Sequence, residues 1–276
     1  MFGIYQKQQL SSVKPIKFHI SIFLTKLQPP MNIYQQIIQK RQNGKKQFAI
    51  LVDPDKCTEA NALRISELAN QHEVDYIFTG GSLLTNGNLQ ACIKILKSKC
   101  TKPVILFPGN ALQIDGQADA ILFLSLISGR NPELLIGKHV IAAPILKEKK
   151  IETISCGYML IESGNTTTAL YMSNTHPIPH LKNDIAACTA LAGEMLGLKL
   201  IYLDAGSGAQ LPVSAAMIRA VRNETSVPLI VGGGIKTSEQ AHTALEAGAD
   251  VIVVGNAIEK DDHLIASLAK AISEFN

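Results

Sequence analysis

Three apolar runs in the last third of the chain end in glycine: Leu200-Ile-Tyr-Leu-Asp-Ala-Gly-Ser-Gly208, Leu229-Ile-Val-Gly-Gly-Gly-Ile235 and Val251-Ile-Val-Val-Gly-Asn256. Glycine lets backbone N–H groups approach a phosphate closely, and a helix that starts just after such a turn adds a favourable dipole. Three such ends in succession point to a bound phosphomonoester; the plainer reading of each alone is a tight turn. The first run also ends on an acid. Alternation along a strand puts Tyr202 and Asp204 on one face and Ile201 and Leu203 on the other, so Asp204 is placed to touch a hydroxyl of whatever carries the phosphate. The alternative is that it caps the following loop by accepting backbone N–H bonds. A second acid, Asp53, ends the run Phe48-Ala-Ile-Leu-Val-Asp53 in phase with Ala49 and Leu51, and the next run ends Ile77-Phe-Thr-Gly-Gly-Ser82. A carboxylate and a hydroxyl are hard oxygen donors of the kind Mg²⁺ takes, with few protein ligands. Asp53 beginning a turn with Pro54 is the alternative.

To bring these ends together the chain needs a regular frame, and from Phe48 onward it has one. Short β-branched runs at 48–52, 76–79, 104–107, 120–124, 153–160, 200–203, 229–231 and 251–254 alternate with amphipathic stretches at 58–71, 88–99, 132–147, 184–196, 214–223, 238–247 and 257–274. Buried strands each followed by a helix, eight times over, predict an α/β fold: a (β/α)8 TIM barrel, with a doubly wound sheet as the alternative. Between Phe107 and Ala120 two glycines and a proline leave little room for a helix, so the third helix is expected to be missing or vestigial. Residues 162–180, rich in Gly, Asn, Thr and Pro, form an unusually long excursion, and loops of that length are usually functional.

The 276 residues are 46% hydrophobic and 18% charged, which suits a globular protein with a sizeable core. No apolar run is long enough for a transmembrane helix. Residues 1–52 hold eight of the 26 basic residues and no acid, so the remainder carries 18 basic against 23 acidic side chains, or −5. An acidic body without interleaved stacking aromatics argues against nucleic acid as a partner. The basic head around Phe18-His-Ile-Ser-Ile-Phe-Leu24 has neither the apolar length nor the cleavage site of a signal peptide. Residues 1–30 read as a disordered extension, or as a start placed upstream of Met31; peripheral contact with a membrane surface is the alternative. The five cysteines are scattered without CxxC or zinc spacing and read as ordinary thiols of a reducing cytoplasm.

From about Met31 to the C-terminus the ordered set Val52-Asp-Pro-Asp-Lys56, Thr79-Gly-Gly-Ser82, Tyr202-Leu-Asp-Ala-Gly-Ser-Gly208, Val231-Gly-Gly-Gly-Ile235 and Val254-Gly-Asn256 resembles the geranylgeranylglyceryl phosphate synthases. These are prenyltransferases that join sn-glycerol 1-phosphate to a polyprenyl diphosphate, and Tyr171–Pro179 and Ala186–Leu198 look like the larger of the family's two sequence groups. The resemblance implies a cytoplasmic, Mg²⁺-dependent enzyme of ether-lipid synthesis whose barrel lacks its third helix and which forms a homo-oligomer, a dimer or hexamer. A mean hydropathy of +0.15 agrees with covered apolar surface. The resemblance also implies that Asp53 and Ser82 hold the metal. It assigns glycerol phosphate to Tyr202, Leu203, Asp204, Ala205, Gly206, Ser207, Gly208, Gly233, Gly234, Gly255 and Asn256, with Asp204 as the catalytic base. The family's motif commonly reads Tyr-x-Glu, so Asp204 is one methylene shorter. Other phosphate-binding barrels, isomerases or synthases, explain the glycine turns equally well but not Asp53 with Ser82. A non-catalytic metabolite-binding barrel leaves both acids without a task.

Overall fold

The computed structural model describes residues 31–276; the readings of residues 1–30 lie outside the described residues. Eight parallel strands close into a barrel in sequence order: β1 Gln47–Val52, β2 Tyr76–Thr79, β3 Val104–Leu106, β4 Ala120–Leu126, β5 Glu152–Leu160, β6 Leu200–Asp204, β7 Leu229–Gly232 and β8 Val251–Val254. All eight fall where the β-branched runs predict them. The alternation within each strand divides the core into two shells. Ala49, Phe78, Ile105, Leu122, Cys156, Tyr202 and Val253 fill the barrel, while Phe48, Ile50, Ile77, Ile121, Leu203 and Ile252 pack outward against the helices.

A helix precedes the first strand. In α1 (Ile33–Gln42), Ile33 and Ile37 join the inner shell at the N-terminal end of the barrel. The Glu152 carboxylate accepts the N–H groups of Ile33 at 2.6 Å and Tyr34 at 2.8 Å, satisfying donors at the helix start. The next helices begin at the polar residues that sequence would choose as caps. Thr58 accepts from Asn61 N at the head of α2 (Glu59–Gln71), and Asn88 accepts from Ala91 N at the head of α3 (Leu89–Lys99). Between β3 and β4 there are only turns, so the third crossover helix is absent as expected. A π-helical turn, Glu133–Gly137, leads into α4 (Lys138–Lys149) after β4. The long excursion after β5 contains a short helix, α5 (Thr168–Ser173), before α6 (Asn183–Met195). It is tied down: Gln210 N and Leu211 N both donate to the Ser163 carbonyl. After β6 comes α7 (Ala215–Glu224), and after β7 comes α8 (Ser238–Glu246). The single helix expected at 257–274 is two, α9 (Asn256–Lys260) and α10 (Leu264–Ser273). They part where the Asp261 carboxylate accepts the N–H of His263 at 3.1 Å, a local turn that competes with the helix.

The cysteines depart from expectation. Cys57 and Cys92 form a disulfide, with Cα atoms 5.9 Å apart, and only Cys100, Cys156 and Cys188 are free. The bond joins the segment before α2 to the first turn of α3. These helices pack side by side, so residues far apart in sequence meet.

Candidate active site

The glycine-rich ends of β6, β7 and β8 meet the ends of β1 and β2 at the C-terminal mouth of the barrel. There they surround a cavity of about 460 Å³. Asp53, Ser82, Tyr202, Asp204, Gly206, Ser207, Gly208, Gly233, Gly234, Gly255 and Asn256 all line it, as the sequence predicts. Two predicted residues do not. Leu203 and Ala205 face the outer shell, and the Ala205 N–H is spent on the Gly232 carbonyl at 3.1 Å. They entered with a continuous motif, whereas a strand sends alternate side chains to opposite faces. On the far side of the cavity the Ser207 hydroxyl donates to Asn256 Oδ1 at 3.1 Å, joining the ends of β6 and β8.

Asp204 ends β6 with only 6% of its surface exposed. Its Oδ1 accepts the N–H of Gly206 at 2.7 Å and its Oδ2 accepts the hydroxyl of Tyr158 at 2.6 Å. Burial raises the carboxyl above its usual range, and those two hydrogen bonds pull it part of the way back. The Tyr158 phenol is pushed well up, by burial first and by the Asp204 charge second, so it is the proton donor of the pair. Gly233 takes a left-handed backbone, φ +77°, and a Cβ there would stand 2.6 Å from Asp204 Oδ1; only glycine leaves the carboxylate in place.

Across the mouth, Asp53 Oδ1 accepts the N–H of Asp55 at 3.0 Å while Oδ2 lies 3.7 Å from Lys56 Nζ. Lys56 in turn donates to Glu259 at 2.7 Å, which raises its pKa and holds a cation beside Asp53. Lys56 stands in the quoted Asp-Pro-Asp-Lys run, but its partner 203 residues away is invisible to sequence. Lys236, directly after the Gly-Gly-Gly-Ile turn, also lines the cavity and donates to the Gln210 carbonyl at 3.4 Å. Its place directly after the glycine turn was the one signal for it in the sequence.

A second, apolar cavity of about 220 Å³ adjoins the first, and the two share Gly81, Ser82, Leu83, Phe107 and Ala169. It runs over the outer face of the barrel where the third helix is absent, past Ala111, Ile114, Ile121 and Ala142. Three rings stand at the junction. Phe107 lies 5.3 Å from Tyr202 and 5.8 Å from Tyr158, and the two tyrosines are 5.6 Å apart. Tyr158 lines the groove and Tyr202 the polar cavity, so the Tyr158–Asp204 hydrogen bond crosses from one to the other.

Comparison with known proteins agrees with this arrangement. The chain is similar to proteins named geranylgeranylglyceryl phosphate synthase from Spirosoma linguale, 55% identical over 85% of this chain and 94% of the relative, and from Chitinophaga pinensis, 51% identical over 87% and 95%. Among solved structures it superposes on (S)-3-O-geranylgeranylglyceryl phosphate synthase from Thermoplasma acidophilum, in complex with substrate sn-glycerol-1-phosphate. The TM-score is 0.82 at 34% identity, covering 88% of this chain and 99% of that one. The model of the PcrB family matches residues 36–274, nearly the whole barrel with both acid-tipped strands, and the chain belongs to that family, among the geranylgeranylglyceryl phosphate synthases.

Proposed function

We propose that the protein is a prenyltransferase that joins a polyprenyl diphosphate, geranylgeranyl in the family's name, to the 3-hydroxyl of sn-glycerol 1-phosphate. The products are a prenylglyceryl phosphate ether and diphosphate, a step of ether-lipid synthesis. The observation that carries this reading is the junction of a polar, glycine-rimmed cavity with an apolar groove at Gly81 and Ser82. A phosphorylated polyol fits the first and a hydrocarbon tail the second. A phosphate-binding isomerase, or a barrel that only binds a metabolite, has no use for the groove.

In this reading the glycine turns after β6, β7 and β8 hold the glycerol phosphate through backbone N–H groups. Its 3-hydroxyl then lies toward Asp204. The allylic C–O bond breaks with its electron pair leaving on the diphosphate, the glycerol oxygen forms the new C–O bond, and its proton passes to the Asp204 carboxylate. Tyr158 keeps that carboxylate oriented. Phe107, Tyr158 and Tyr202 offer π faces to the positive charge that develops on the allyl group. Asp53, in the polar cavity, and Ser82, at its junction with the groove, are two hard oxygen donors beyond adjacent strands and fit Mg²⁺. Bound there, the ion would supply charge to the departing diphosphate. We further infer a homo-oligomer, dimer or hexamer, which the exposed apolar side chains of Ile136, Val140 and Ile141 around the start of α4 support.

The test is turnover of sn-glycerol 1-phosphate with labelled prenyl diphosphates of several lengths. The expected product is an acid-stable ether; no ether from any donor overturns the reading. Asp53→Asn should lower turnover on the order of 10²-fold or more, since the metal's charge stabilisation is worth several kcal/mol. Calorimetry should find its binding of glycerol 1-phosphate unchanged, and wild-type Mg²⁺ dependence in that variant would remove Asp53 from the metal site.

A further inference from the structure

In the turns that stand where a third helix would be, one residue between Pro108 and Gln117 is buried. It is Gln113, 2% exposed, set between Leu112, which is almost fully exposed, and Ile114, which lines the apolar groove. A long polar side chain turned inward from an exposed turn needs partners for both ends of its amide. Gln113 finds them on the backbone beside Ser82. Its Nε2 donates to the Gly81 carbonyl at 2.8 Å, while its Oε1 accepts the N–H of Gly109 at 3.2 Å and, at a longer 3.4 Å, that of Gly81.

These bonds continue a ladder that the strands have left. β2 and β3 pair in register as far as Thr79 and Leu106, and the Phe107 N–H still donates to the Thr79 carbonyl at 2.9 Å. Beyond that point the two backbones approach too closely for a side chain. A Cβ on Gly109 would stand 2.7 Å from Ser82 Cα and would meet the Gly81 carbonyl oxygen as well. There the amide of Gln113 takes the place of a neighbouring strand for Gly81, answering its N–H and its C=O together. An ionised glutamate has no donor for the carbonyl, and methionine has at best a weak acceptor for the N–H.

Gly81 and Ser82 both line the polar cavity and the apolar groove. A Cβ on Gly81 would lie 3.7 Å from Asp53 Oδ1, so the clamped backbone runs beside that carboxylate. We propose that Gln113 is a positioning residue for the transfer: its amide fixes the backbone that carries Ser82 beside Asp53, where the diphosphate ends and the tail begins. The turn that replaces the third helix then has two tasks. Ala111 and Ile114 shape the groove, and Gln113 holds the metal site at its head. This rests on the prenyltransferase reading above, with Asp53 and Ser82 as the Mg²⁺ ligands.

The experiment titrates Mn²⁺ alone, a paramagnetic probe in place of Mg²⁺, into the full chain and reads it by electron paramagnetic resonance, beside steady-state turnover and melting. Gln113→Met keeps the length of the side chain and removes the amide. Mn²⁺ should bind it roughly 10–100-fold more weakly, the range found when a group that orients a metal ligand is lost. Its kcat should fall and its KM for the prenyl diphosphate rise. KM for sn-glycerol 1-phosphate should stay, since no bond of the Gln113 amide reaches the glycine turns after β6, β7 and β8. Gln113→Glu keeps the size and the accepted N–H bonds and guards against a folding failure; without the donor to Gly81 it should shift Mn²⁺ affinity the same way by less. A clamp that serves stability alone would lower the melting temperature and leave Mn²⁺ affinity at the wild-type value. That result in the folded variants overturns the positioning role and leaves the transferase reading standing. A wild type that makes the ether yet binds no Mn²⁺ overturns the metal site and this inference with it, and one that makes no ether from any donor overturns the transferase reading too.

Discussion

Asp204 holds an ionisable group where solvent scarcely reaches, and its two hydrogen bonds offset only part of that cost. Folding raises its pKa above the unfolded value, so the protonated carboxyl is the form that folding favours. The stability it contributes is fully present below the unfolded pKa and is lost as pH rises through the folded one. The ionised form is thus held at a cost to stability, as expected of a group retained for chemistry. Asp204→Asn should melt no lower than the wild type at neutral pH, with any advantage shrinking as pH falls into the carboxylate range, while kcat drops by about 10²–10⁴-fold. Scanning calorimetry beside turnover checks it, and a variant that melts lower but keeps kcat would make Asp204 a loop cap. Tyr158 supplies the second expectation at this scale. Its hydroxyl stabilises the charged form of Asp204, so Tyr158→Phe should raise the carboxyl further and move the acidic limb of the kcat profile to higher pH. An unmoved limb would separate Asp204 from the rate.

Among the elements, two ties hold the ends of β1 and β2 in register. The Asp55 carboxylate accepts the N–H groups of Thr85, Asn86 and Gly87, and the Cys57–Cys92 disulfide fastens the same segment to α3. The first connects the loop bearing Asp53 to the loop bearing Ser82, and the second connects it to the helix that follows that loop. Alkylation of unreduced, denatured protein should leave Cys57 and Cys92 unlabelled, and reduction should lower stability by about 4 kcal/mol for a closed loop spanning 35 residues. Labelling of all the cysteines without reductant would remove the bond. Sequence could not show this pair, because its formation depends on how α2 and α3 pack. What sequence did show follows from periodicity. The strands are β-branched and bounded by turn residues, and the helical stretches expected from Thr58, Asn88 and Ser214 start on the residues that the structure places as caps, while the one expected from Ser238 is capped one residue earlier, by Thr237. Helix α1 escaped because Ile33 and Ile37 are its only buried residues in an otherwise polar segment, and what they bury against, the open end of the barrel, exists only once the barrel closes. At the site, alternation placed Asp53, Tyr202 and Asp204 correctly, since a strand's facing is local. The Tyr158–Asp204 bond and the Lys56–Glu259 pair join residues distant in sequence and could not be read there.

Taken whole, the barrel divides its labour between its faces. At the N-terminal face Asp250 binds Arg222 at 2.8 Å, Arg41 at 3.1 Å and the N–H of Leu229 at 2.9 Å, an arrangement that holds strands and helices together away from the chemistry. The C-terminal face carries the polar cavity, and the apolar groove leads from it over the outer side of the barrel. A third surface remains on the flank, where Ile136, Val140 and Ile141 each leave about three fifths of their surface to solvent. They sit opposite His139 and Ala142, which face the groove. Exposed apolar side chains grouped in this way suit contact with another protein surface. If that surface is a second copy of the chain, Val140→Glu combined with Ile141→Glu should place like charges across the contact and reduce the mass measured by light scattering toward that of one chain. Because the two residues point away from the groove, the charged variant should fold, and its residual activity would report whether α4 needs a neighbour to keep its groove-facing side in place. An unchanged mass in the double variant would move the oligomer contact elsewhere, and a wild type already at 29.8 kDa across a wide concentration range would end the oligomer reading.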